Sequence, residues 1–247
     1  MKRIMLLVLS FALVLSCFGC GATDIHKKSE GVMSYAEYAA AAIEDAVTVE
    51  TFVQAKQGYW EEDGQGKATL YTQDADGAYF VYNLNCTKED YDKMTEGVKI
   101  RLKGYKAEFS GEVEIIDATY EILEGTYVAP AKDVTAMLAS EDIANYQNQR
   151  VSFKGMTVEA SKDAEGNDVA FLYKWNGSGQ DGDDLYFKVS VDGKTYTFTV
   201  ESYLCGKGTD VYEAVKGLKI GDKIDMEGFL YWYEGINPHI TSVKPAA

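Results

Sequence analysis

Residues 97–111, GVKIRLKGYKAEFSG, are answered by residues 221–235, GDKIDMEGFLYWYEG. Both copies read Gly-x-Lys-Ile-x-(Leu/Met)-x-Gly-(Tyr/Phe)-x-x-x-(Phe/Tyr)-x-Gly. Ile and Leu or Met alternate with polar residues, the period of a strand with one buried face. The middle glycine, Gly104 or Gly228, sits where such a strand would bulge to turn the corner of a small barrel. Recurrence of the whole pattern in the two halves predicts one β-module used twice.

The flanks of the first copy agree. Residues 34–45 begin with a capping serine, Ser34, and continue through good helix formers. Residues 47–53 (VTVETFV) alternate as a strand, 61–66 break the pattern, and 67–73 resume it. Asp74 to Gly77 closes a hairpin onto 78–84, which makes a three-stranded meander. Residues 87–96 (TKEDYDKMTE) read as a helix with Tyr91 and Met94 on one side. The signature strand and a last strand, 112–122, complete the module.

The second copy opens with a helix expected over 133–146 (DVTAMLASEDIANY), with Val134, Met137 and Leu138 on one side, which doubles as the connector. Strands follow at 151–158, 169–173, 185–191 and 194–200, with Asp192-Gly193 as a hairpin turn. A helical stretch, 210–216, leads into the returning signature.

Three strands, a helix and two strands, with glycine at the bend of the fourth strand, resemble the OB-fold, a five-stranded Greek-key barrel. The resemblance covers about four-fifths of the chain after its N-terminal segment and is architectural. It implies a mainly β protein with two tandem barrels. Each has a short helix between strands three and four and a lead-in helix.

The N-terminus carries Lys2 and Arg3, an apolar run over 4–15 and then Ser16 before Cys17. A short apolar run behind basic residues reads as an export signal. Val14-Leu15-Ser16-Cys17 resembles a bacterial lipobox, in which the cysteine takes the lipid; Cys20 is the alternative. The chain also resembles exported lipoproteins of Gram-positive gut bacteria with paired OB-type domains, in SYAEYAAAAIEDAVTVETFVQ, GYKAEFSGEVEIIDATYEI and GINPHI. That resemblance implies location and fold, and no activity. The expected organisation is a signal at 1–16, a tether at 17–33, a first barrel at 34–128, a helical connector at 129–146 and a second barrel at 147–247. The expected location is the cell membrane, lipid-anchored and facing the extracytoplasmic side.

Hydrophobic residues make up 46% of the chain, enough for each half to bury a core. With 24 Lys plus Arg against 39 Asp plus Glu, the net charge is −15. Nucleic-acid binders usually gather positive charge against phosphates, so this balance argues against that partner.

Aromatic side chains give the main candidate ligand contacts: Tyr59, Trp60, Tyr79, Tyr82, Trp175, Tyr231 and Trp232. Rings on such barrels stack on bases or sugars, although alternation puts some of them in the core. The basic stripe Lys99, Arg101 and Lys103 lies on one strand face and could meet phosphate or an acidic glycan, or simply face solvent. Its counterparts are Lys223, Asp225 and Glu227, so the fold does not require it. The acidic turns near Asp74 and Asp181 need only turn chemistry, and no metal or cofactor is expected. Cys86 and Cys205 occupy matching positions, as free thiols or as a bridge between modules.

No catalytic spacing stands out: His26 and His239 share no nucleophile or metal pair, and there is no phosphate loop or serine elbow. The expected function is a membrane-anchored binding or interaction protein for an unknown small molecule, glycan or protein. The alternatives are a hydrolase using scattered carboxylates, or a binder of single-stranded nucleic acid or glycan.

Overall fold

The computed structural model describes residues 25–246. The first barrel runs α1 (Tyr35–Ala40), β1 (Ala46–Lys56), β2 (Trp60–Glu62), β3 (Gln65–Gln73), β4 (Ala78–Asn85), α2 (Lys88–Lys93), β5 (Val98–Phe109) and β6 (Glu112–Thr126). Its strand order is β1-β5-β6-β4-β3, closed by β1 pairing back to β3, with β4 and β6 parallel and β2 an added hairpin arm.

The second barrel contains β7 (Lys132–Asp133), β8 (Arg150–Glu159), β9 (Ser161–Lys162), β10 (Asp168–Val169), β11 (Leu172–Tyr173), β12 (Leu185–Val191), β13 (Lys194–Val200), α3 (Asp210–Lys216), β14 (Lys223–Phe229) and β15 (His239–Pro245). Its order β12-β13-β15-β14-β8, closed by β12 on β8 and with β13 and β15 parallel, repeats the first topology. The chain is therefore a mainly β protein of two OB-like barrels in tandem.

Both signature glycines stand at a register shift, Gly104 between Lys103 and Tyr105 and Gly228 beside Glu227. A Cβ on Gly104 would lie 2.6 Å from the Ile116 carbonyl oxygen, and one on Gly228 2.2 Å from that of His239. The neighbouring strand passes too close for any side chain, which explains the residue in both copies. Inside each barrel the alternation holds: Ile100 and Leu102 join Val49, Leu70 and Val81 in one core, and Ile224 and Met226 join Phe153, Phe187 and Phe198 in the other.

Helix α1 starts where the sequence predicts, with Ser34 and Glu37 making a reciprocal capping box, but ends at Ala40, well short of the expected 34–45. The connector departs further. Residues 133–146 form β7's end and two 3-10 turns, Thr135–Met137 and Glu141–Tyr146, and not an α-helix. Val134, Leu138 and Ile143 are buried in the second core all the same, so the apolar spacing met its packing need in short turns. Part of the expected tether is ordered on the first barrel: Lys28 pairs with the buried Asp74 at 2.6 Å, and Ser29 accepts from Arg101 at 2.9 Å. The export and lipid residues, including Cys17 and Cys20, lie outside the described residues. Both described cysteines, Cys86 and Cys205, are free thiols.

The two barrels meet through a third, smaller apolar cluster. Tyr71 and Phe80 from the outer face of the first barrel pack on Phe229 of the second, with Tyr231 and Leu204 at the margin. The Tyr71 and Phe229 rings stack at 4.6 Å. Tyr71 also shares a 2.6 Å hydrogen bond between its hydroxyl and His239 Nδ1, both buried. Tyr71→Phe keeps the ring and strands that nitrogen, so it should cost about 1–2 kcal/mol in chemical denaturation. An unchanged midpoint would show that the hydrogen bond adds nothing to the junction.

The two signature hairpins touch at equivalent positions. Phe109 faces Tyr233 at 6.2 Å, the Glu234 N–H donates to the Ser110 carbonyl at 2.8 Å, and Trp232 lies against Gly111.

Candidate functional site

Strand β4 is buried on its inner face and presents Phe80 and then Tyr82 outward, two residues apart, as a strand must. Phe80 pairs in register with Glu114 on β6, so the outer face of the first barrel carries a ring beside a carboxyl. The second barrel covers part of this face with Tyr231, His239 and the segment after β13 that bears Glu201. What remains is a cleft of about 410 Å3. Phe80, Tyr82, Phe109 and Tyr231 supply its apolar lining; Gln57, Glu114, Glu201 and His239 supply its polar groups. A second hollow of about 460 Å3 shares Gln57, Tyr82 and Glu201 with the first and extends along Trp60, Asn83 and Tyr203. The two form one continuous groove over both barrels.

The cleft's rings are fixed to different degrees. Phe80 and Tyr231 pack edge to face at 5.3 Å, and Tyr231 stacks on His239 at 4.2 Å. Tyr82 and Phe109 are about half exposed, at 47% and 57%. They form the open lips.

The polar groups are electrostatically unusual. Burial pushes the Glu114 carboxyl up to about 7. Glu201 is also raised to about 7, by burial and by nearby Asp184, against hydrogen bonds that include the Tyr203 N–H and Gln57. Behind them Glu112, fully buried, is raised to about 8 by burial, with the Glu114 charge adding to it. Its Oε2 accepts from the Trp232 N–H at 2.9 Å. Burial lowers His239 to about 3, so its imidazole is neutral.

The sequence candidates scatter. Tyr82 and Tyr231 come together in the cleft, and Trp60 lies in its extension. Tyr79 is fully buried in the first core, with its hydroxyl donating to Asp74 at 3.1 Å. Tyr59 packs beside Tyr91 at 5.4 Å, away from the cleft. Trp175, 72% exposed, borders a separate hollow with Tyr186 and Leu172. Trp232 is half-buried at the hairpin contact. Lys99 and Arg101 both close on buried Glu50 at 2.8 Å. Burial would raise Glu50, but hydrogen bonds from Lys99, Ser29 and Arg101 outweigh it and hold the carboxylate at about 2. Lys103 remains exposed on the same strand. The sequence reading missed Phe109, Glu114, Glu201 and His239, because their significance arises only where two barrels meet.

No family profile and no curated protein match the chain. Solved structures do. A murine DNA-binding protein bound with double-stranded DNA is 13% identical, over 81% of this chain and 96% of its own, with a TM-score of 0.38. A Replication Protein A heterotrimer bound to single-stranded DNA is 12% identical over 90% of this chain and 52% of its own, at 0.37. An Ifi202 HINa domain in complex with double-stranded DNA is 12% identical over 84% and 99%, at 0.34. The likeness is one of fold. One expectation, that nucleic acid is an unlikely partner, is corrected: structures holding double- or single-stranded DNA stand among those similar to this chain. Net charge averages over a whole surface, whereas rings in a groove act locally.

Proposed function

We propose that the protein is a binding module whose ligand seat is the aromatic groove between its two barrels. The observation that supports this most directly is the composite lining: half-exposed Tyr82 and Phe109 from one barrel and Tyr231 from the other surround raised carboxyls in a hollow of ligand size. A metabolite and glycan panel scored by thermal shift tests it. Ligands that raise the melting temperature of the native protein should lose most of that shift in Tyr82→Ala; equal shifts in both would place their site elsewhere.

A second reading is favoured by the groove's extension, where Trp60, Tyr82 and Tyr203 are 40%, 47% and 74% exposed. Bases of single-stranded nucleic acid stack on such rings at about 1–3 kcal/mol each. Retention of an oligothymidylate that falls with salt and is lost in Trp60→Ala is the expected result; no retention at low salt would end this reading.

The module acts outside the cell, held to the membrane by lipid on Cys17. This rests on the lipobox-like sequence alone. Metabolic labelling with a fatty-acid analogue should mark the wild type and Cys20→Ser but not Cys17→Ser; the reverse pattern moves the lipid to Cys20, and no label removes the anchor.

A further inference from the structure

Among the described residues, two buried carboxylates of the first barrel come with their own cations. Glu50 is held by Lys99 and Arg101, and Asp74 by Lys28. Glu114 is only 8% exposed and lines the cleft, yet among the described residues its carboxyl has no hydrogen-bond or ion-pair partner. Its oxygens open onto the cleft, so whatever fills the cleft is what must satisfy it. Glu201, across the junction, accepts from Gln57 Nε2 at 3.0 Å and from the Tyr203 N–H at 3.2 Å, and also has no cation. Among the described residues no lysine or arginine lines the cleft, and its histidine is neutral. Aromatic rings line the cleft, and the faces of such rings attract ammonium groups more than neutral ones.

We infer that the cleft takes an organic ammonium ion, its charge directed to the Glu114 and Glu201 carboxylates and its alkyl groups against Tyr82, Tyr231 and Phe109. The missing counter-charge of the two carboxylates is thus supplied by the ligand. The inference rests on the groove being the ligand seat. A quaternary or primary ammonium of modest size fits a hollow of about 410 Å3. Because burial holds both carboxyls near 7, the cation also displaces protons as it enters, and its affinity rises with pH as they ionise.

Titration calorimetry on the protein with choline, spermidine and the uncharged choline isostere 3,3-dimethylbutan-1-ol tests it, with an oligothymidylate as a fourth probe. Choline or spermidine should bind roughly tenfold tighter than the alcohol, and more tightly at about pH 8 than at about pH 6, with proton release. Glu114→Gln should remove roughly that tenfold preference; Glu201→Gln serves the same purpose should the first variant fold poorly. Tyr82→Ala should weaken every cleft ligand. Equal binding of cation and alcohol, both dependent on Tyr82, overturns the cation and keeps the groove. Binding of neither cation, or of the oligonucleotide alone, overturns the inference.

Discussion

Gly228→Ala unfolds the second barrel at temperatures the native protein tolerates. The added methyl would stand 2.2 Å from the His239 carbonyl oxygen and 2.8 Å from Ile240 Cα, both backbone atoms of the adjacent strand. Neither can swing aside as a side chain does, so β14 or β15 must move and the pairing of Gly228 with Ile240 is lost. Overpacking against backbone costs about 3 kcal/mol or more, which for a protein of this size lowers Tm by roughly 6–12 °C. Trp175 and Trp232 lie in the second half and Trp60 in the first, so fluorescence on heating should report the second barrel's loss through the first two. Gly166→Ala is the control. Gly166 has φ +85° but open space around it, so only backbone strain of about 1 kcal/mol applies. A Gly228→Ala protein melting with the wild type would refute the close-approach account of the signature glycine.

Stability falls as pH rises through neutrality, and Glu112→Gln flattens that fall. Glu112, Glu114 and Glu201 are raised to about 8, 7 and 7, above the usual carboxylate value, so the folded protein holds protons that the unfolded chain has released. Their contribution is full below the unfolded value of about 4.5 and is lost as pH climbs from there to the folded values, so the fall begins near pH 4.5 and levels off above about pH 8. Glu50 is lowered, so its contribution is complete above about pH 4.5; His239 is lowered too, so its contribution still grows up to about pH 6.5 and offsets part of the fall below that, which leaves the fall undisturbed between about pH 6.5 and 8.

Glu112 should carry the largest share. Its Oε1 and the Asn148 Oδ1 are both buried without a partner, although Asn148 is close enough to hydrogen-bond the carboxyl. The Asn148 amide nitrogen donates one hydrogen to the Val113 carbonyl at 3.0 Å, and its bond to the Glu112 carboxyl opposes the rise without cancelling it. A protonated Glu112 leaves no uncompensated charge in this buried site. Glutamine is uncharged at every pH while its oxygen keeps the Trp232 N–H. The variant should match the wild type near pH 5 and exceed it near pH 8.5 by on the order of a few kcal/mol. A parallel pair of Tm curves would show that Glu112 is not the proton holder.

The repeated glycines and the alternation of Ile100 and Leu102 made the barrels legible, because a bulge that meets backbone admits one residue type and a one-sided strand one period. Residues 133–146 were misread since Val134, Met137 and Leu138 suit one face of an α-helix and two 3-10 turns alike; which forms is decided by where Ile143 must reach the second core. The cleft was legible only in part. Tyr82, Tyr231 and Trp60 stood out as rings on strands. Glu114 carried a weak signal, since Glu112 and Glu114 alternate with Val113 and Ile115, but sequence treats that face as solvated. It is dry because Tyr71 and Phe229 bring a second barrel over it, and the angle between two barrels is written in no local pattern.

The groove belongs to both barrels, and this ties occupancy to the rigidity of the junction. A ligand that contacts Tyr82 on one side and Tyr231 on the other acts as a fastener, and linkage makes the effect reciprocal. Whatever factor by which the ligand tightens the seam, loosening the seam must weaken the ligand by the same factor. Tyr71→Phe, whose side chain lies outside the groove's lining, therefore acts at a distance on affinity, and the protein becomes a hinge whose stiffness reports what it holds.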